Sequence, residues 1–108
     1  MNIELIFKQA IHSKNKVKLI FYSKEDGKNL ERICAPMDFG PSRRSKNKDE
    51  RYHLWDYESD QSNHVLSLLP IQVINIEILN NNFDPSEFIT WDVKKSPWFY
   101  IRDWGHHS

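Results

Sequence analysis

Tyr22, Arg32, Tyr52 and His53 are the side chains best suited to hold a ligand. Tyrosine and arginine can stack on a nucleobase, and arginine and histidine can contact a phosphate. The competing reading is that the aromatics fill the core and Arg32 is a surface cation. Successive side chains on a strand alternate faces, so Tyr52 and His53 cannot both serve one site. A second group of cations lies between Gly40 and Arg51, where Arg43 and Arg44 could make salt-dependent phosphate contacts. Asp49 and Glu50 offset that charge and no aromatic is interleaved. A solvated loop is therefore the stronger reading of this stretch.

Other chemistries lack a signal. The five histidines, His12, His53, His64, His106 and His107, form no His-x-x-x-His pair on an expected helix, and Cys34 has no second cysteine beside it. Three glycines, Gly27, Gly40 and Gly105, are too few and too scattered for a phosphate-binding loop. No serine stands in a nucleophile elbow, and a buried strand cysteine is the ordinary case for Cys34. The expectation is a protein without catalytic residues, metal or cofactor. The terminal Gly105-His106-His107-Ser108 is a weak metal signal, whether native or appended.

The elements that must position these residues follow from periodicity. Asn2 can cap a helix in which Ile3, Ile6, Phe7, Ala10 and Ile11 form one apolar stripe. Residues 17–22 read as a strand, and Asp26-Gly27 as the turn of a hairpin whose second strand runs over 30–35. Pro36 is expected to end that strand. Residues 40–50 form a loop, 51–57 a third strand, 65–69 a fourth, and 71–79 a fifth with Ile74, Ile76 and Ile78 alternating. Asp84-Pro85-Ser86-Glu87 predicts the start of a short C-terminal helix, with Asp84 as cap and Glu87 reaching back. Three of the four tryptophans fall at 91, 98 and 104. So many tryptophans are rarely left in water. The tail either folds over its own domain, the favoured reading, or docks on a partner.

The 108 residues have the size of one domain. Hydrophobic residues at 39% and charged residues at 28% give a globular balance. Fifteen basic side chains match fifteen acidic ones, so net charge alone makes no case for nucleic acid. The distribution is uneven: residues 1–51 hold 12 basic and 7 acidic side chains, residues 52–108 hold 3 and 8. A lone cysteine, no signal-peptide pattern and no apolar run of spanning length together predict a cytoplasmic protein with no membrane role.

One helix followed by five short strands predicts a mainly β, α+β fold: an N-terminal helix on a small five-stranded β-barrel over residues 1–88, with an aromatic tail over 89–108. The order resembles the WYL domain, a bacterial module with an SH3-like, Sm-like barrel. The matching residues are Ala10-Ile11, Tyr22, Arg32 with Pro36, Tyr52-His53-Leu54 and Phe83-Asp84-Pro85. The match is divergent. The name-giving triplet reads Tyr-His-Leu, His64 and Pro70 occupy two positions where the family carries arginine, and no helix-turn-helix precedes the domain. The resemblance implies that Tyr22, Arg32, Tyr52 and His53 come from neighbouring strands of one sheet. It also implies a non-catalytic sensing module with a regulatory role, whose ligand is a nucleotide or single-stranded nucleic acid. The alternative is a protein-interaction or homo-oligomeric assembly module that uses barrel edges and the tryptophan tail.

Overall fold

In the computed structural model, which describes residues 2–43, 46, 48–59 and 64–108, the chain opens with helix α1 (Ile3–Ser13). Asn2 caps it, its side chain accepting from the Leu5 amide at 3.3 Å. Lys14 closes it in the left-handed region at φ 55°. The stripe of Phe7, Ala10 and Ile11 is buried and lies against the sheet that follows.

That sheet contains β1 (Asn15–Ser23), β2 (Lys28–Pro41), β3 (Glu50–Asp56), β4 (Val65–Leu68) and β5 (Val73–Asn82). All neighbours are antiparallel, in the order β4-β3-β2-β1-β5. Gly27, at φ 64°, makes the β1–β2 turn that the Asp-Gly pair predicts. Val17, Leu19 and Phe21 point inward from β1, and Tyr52 and Leu54 from β3. Phe7 and Phe39 meet the Tyr52 ring edge-on, each with centroids 4.9 Å apart. The result is an α+β fold, mainly β, with α1 covering one part of the sheet.

Pro36 does not end β2. The strand runs on to Pro41, with Pro36 opposite Leu54. The β1 partners stop at Val17 opposite Cys34, so beyond that point β2 has a ladder partner on one side only. A residue without an N–H is tolerated there, and the irregularity between Pro36 and Asp38 absorbs the change of register. The fifth strand starts at Val73, not Ile71, because Pro70–Gln72 forms a 3-10 turn. The alternation of Ile74, Ile76 and Ile78 is also broken. A register shift between Ile20 and Phe21 leaves Ile74 unpaired, so Val73 and Ile76 are buried while Ile74 is exposed.

The sheet cannot be flat. Leu68 ends β4 at the level of Phe39 on β2, through Tyr52, whereas Val73 begins β5 at the level of Leu30, through Phe21. Nine residues along β2 separate those levels, about 30 Å in an extended strand. The chain from Leu68 to Val73 reaches about 18 Å at most. The long β2 must therefore bend and the sheet must curl. The 3-10 turn accordingly touches both β1 and β3. No ladder joins β4 to β5 among the described residues.

After β5, Asp84 and Glu87 form the expected reciprocal cap, but around a single 3-10 turn, Pro85–Glu87, and no longer helix follows. Phe88 and Ile89, immediately beyond, are drawn into the core. Tertiary burial overrides a local start signal that has no apolar helical stripe behind it.

Candidate functional site

The site is built by the tail, and the tail is held by one buried ion pair. Asp38 sits in the apolar run Pro36-Met37-Asp38-Phe39, and a buried carboxylate needs donors. It has four. Oδ1 accepts from the amides of Phe39 and Tyr100 at 2.9 Å each and from Arg102 Nη2 at 3.0 Å, and Oδ2 accepts from the Phe99 amide at 2.9 Å. The Arg102 side chain is 0% exposed. Its guanidinium packs against the rings of both Trp98 and Trp104, 4.2 and 4.4 Å from their centroids, and donates further to the carbonyls of Met37 and Tyr100. Burial lowers the Arg102 pKa to about 10 against the opposing pull of Asp38, so the group stays cationic at neutral pH. Trp104 Nε1 donates to the Ile11 carbonyl at the end of α1 at 2.9 Å, tying the tail to the helix as well.

This attachment leaves a cleft of about 390 Å³ between the tail and the outer face of β2, β3 and β4. Trp91, Pro97, Trp98 and Phe99 form the tail wall; Met37 and Val65 belong to the sheet wall. Trp91 and Phe99 remain 37% and 44% exposed, so their rings are open to a ligand. Gly40 permits the tail to come this close. A Cβ there would lie 2.6 Å from the Phe99 Cβ.

His53 and Ser67 face each other across the β3–β4 ladder. His53 Nδ1 is 2.8 Å from Ser67 Oγ, and Nε2 is 2.9 Å from the Gly40 carbonyl. A carbonyl only accepts, so Nε2 carries a proton and, in the neutral ring, Nδ1 accepts from the serine hydroxyl. Arg43 stands at the mouth, its guanidinium 4.5 Å from the Phe99 ring centroid and donating to the Pro97 carbonyl. The cleft thus combines aromatic side chains, a guanidinium, an imidazole and a hydroxyl. Its one carboxylate among the described residues, Asp38, is fully engaged elsewhere.

Tyr22 and Arg32 lie in a different depression, of about 710 Å³, at the open end of the inner face. Four carboxylates, Glu25, Asp26, Asp56 and Glu58, share it with two cations, Lys24 and Arg32. Arg32 Nε is 3.5 Å from Asp56 Oδ2, so its charge is already met. Glu58 and Asp56 also accept backbone amides, from Ile33 and Glu58 respectively. Beneath this mouth, Cys34 is buried, and burial with the nearby Asp56 and Glu58 carboxylates pushes its thiol pKa up.

The four ligand candidates therefore do not converge. His53 and Arg43 line the cleft, Tyr22 and Arg32 line the mouth, and Tyr52 is 4% exposed within the core, where burial raises its phenol pKa. Arg44 lies outside the described residues. Asp38, Ser67 and Arg102 carry the site without having been singled out by sequence. A charged residue inside the apolar run 36–39 was the available signal for a buried partner. Among the described residues, no three His, Cys, Asp or Glu come together as a metal ion requires, and no helix is long and apolar enough to cross a membrane. Comparison with protein-family models, with curated proteins and with solved structures finds no match.

Proposed function

We propose that this chain is a non-catalytic ligand-binding module of WYL-like type, cytoplasmic and regulatory, whose ligand is a nucleotide or the end of a single-stranded nucleic acid. The observation that carries this reading is the cleft itself: Arg43, His53 and the partly exposed Trp91 and Phe99 line one space of about 390 Å³. A cation beside an aromatic face suits a phosphate joined to a base. The volume lies within the range of small-molecule sites and suits one nucleotide better than a stretch of strand. The acidic mouth around Arg32 is less suited to an anion. We read the curled sheet as a small SH3-like, Sm-like barrel. The four-residue link between its outer strands, in contact with both β1 and β3, supports that reading.

Trp91 and Trp98 report on the cleft directly, so tryptophan fluorescence is the first measurement. Titration with nucleotides and short single-stranded oligonucleotides at low salt is expected to give a saturable change. Arg43→Ala is expected to weaken it about tenfold and Arg32→Ala less than twofold. No change with any of these ligands overturns the reading. In that event the alternative, an assembly module, is favoured by Ile71 in the 3-10 turn and Ile74 at the start of the outer strand β5, exposed at 90% and 47%.

A further inference from the structure

We infer that the cleft binds a phosphate oxygen at Ser67 and Arg43 and takes up one proton on His53 as it does so. This rests on the proposed binding function and adds a ligand group, a new contact residue and a control by pH.

With His53 neutral, the Ser67 hydroxyl proton is spent on Nδ1 at 2.8 Å, and only oxygen lone pairs face the cleft. An anion meets no donor there. With His53 protonated, both ring nitrogens donate. Nε2 keeps its bond to the Gly40 carbonyl at 2.9 Å, and Nδ1 now donates to Ser67 Oγ. The hydroxyl proton is released and can rotate into the cleft toward a phosphate oxygen. No hydrogen bond is lost in the exchange. The cleft gains one positive charge beside Arg43 and one donor that did not exist before.

The charged groups around His53 are cationic or already paired, so the phosphate itself must supply the charge that holds the proton. Among the described residues, Asp38, opposite His53 on β2, is the one carboxylate lining the cleft, and its oxygens are taken by Arg102 and three backbone amides. Arg43 follows β2, and Arg51, two residues along β3, reaches the Ser67 carbonyl at 3.4 Å. Arg51 Nε is buried and makes no hydrogen bond. β4 carries no titratable side chain, and neither do the tail residues that line the cleft, Trp91 and Ser96 to Phe99. By linkage, a phosphate that stabilises the imidazolium must itself bind more tightly as pH falls.

Cyclic adenosine monophosphate is the probe of choice, because its phosphodiester does not titrate between pH 5 and 8 and any pH dependence belongs to the protein. Calorimetric titrations from pH 8 to pH 5.5, each in two buffers of different ionisation heat, are expected to show Kd tightening by up to about tenfold per pH unit on the alkaline limb. Proton uptake should approach one per ligand. Uncharged adenosine should show neither effect. His53→Gln keeps a donor for the Gly40 carbonyl and should flatten the profile. Ser67→Ala should weaken binding several-fold at pH 5.5 and leave it unchanged at pH 8. The His53 imidazole signal in the unmutated protein supplies an independent check, moving to a higher midpoint on ligand addition. Binding with no proton uptake and a flat pH profile overturns this inference while the binding function stands. No binding of cyclic adenosine monophosphate at any pH overturns this inference, and the binding function falls with it only if the nucleotides and oligonucleotides of the fluorescence titration also give no change.

Discussion

The tail cleft and the acidic mouth are both open depressions beside an arginine, yet their charges are settled in opposite ways. In the mouth, Arg32 meets Asp56 at 3.5 Å and three more carboxylates stand around it. In the cleft, the carboxylate Asp38 is consumed by Arg102 and three amides, so Arg43 and His53 face the space without an opposing free charge. The difference teaches that residue type does not mark an anion site. What marks it is where the nearest carboxylate spends its lone pairs.

The sharpest way to break this contrast is to remove the group that spends them. Arg102→Ala leaves Asp38 buried with its charge unmatched and removes the cation packed against Trp98 and Trp104. Breaking a buried pair from one side costs about 3–5 kcal/mol. The melting temperature should fall by more than about 10 °C. Tryptophan emission should shift to the red as Trp98 and Trp104 meet water. An Arg102→Ala protein that melts like the parent would show that the tail is held by something other than this pair.

Gly40→Ala tests the same wall more gently. The added methyl would sit 2.6 Å from the Phe99 Cβ, on the strand residue whose carbonyl holds His53. The tail must shift outward, at a cost of about 1–3 kcal/mol for overpacking. Ligand affinity in the cleft should fall with it. Gly27→Ala is a poor control because its φ of 64° is itself strained for alanine. Comparison with Tyr22→Ala at the mouth is cleaner: that exposed side chain should change stability by less than about 0.5 kcal/mol.

The contrast also separates what the sequence made legible from what it did not. The apolar stripe of α1, the Asp-Gly hairpin and the third strand follow local rules of periodicity and turn chemistry, and they stand where those rules put them. The exceptions are all set by distant partners. Pro36 lies inside β2 because the ladder to β1 has already stopped at Cys34, which no local pattern around Pro36 reveals. Ile74 turns outward because of a register shift against β1. The cap at Asp84 forms but yields one turn, because Phe88 is drawn into contact with Phe83, Trp55 and Trp104. The site depends on Asp38 meeting Arg102 across 64 residues, a pairing that only the fold creates. His53 and Arg43 were visible as chemistry. Ser67 was not, since a strand serine acquires meaning only from the histidine across the ladder.

Cys34 offers the smallest effect and a test of how independent the two regions are. It lies buried beneath the mouth, opposite Asp56 on β3, and the burial and carboxylates that raise its thiol pKa suppress the reactive thiolate. Iodoacetamide at pH 8 should leave it unmodified over hours in the native protein, by mass spectrometry, and modify it fully in denaturant. The informative comparison is Arg102→Ala under native conditions. If loosening the tail opens only the cleft, Cys34 stays protected, because β1 and β3 still flank it on both sides. If Cys34 becomes labelled at the rate at which Trp98 and Trp104 are exposed, the tail and the sheet open as one cooperative unit. Cleft and mouth would then be two ends of one structure, and ligand bound in the cleft should slow labelling at the mouth.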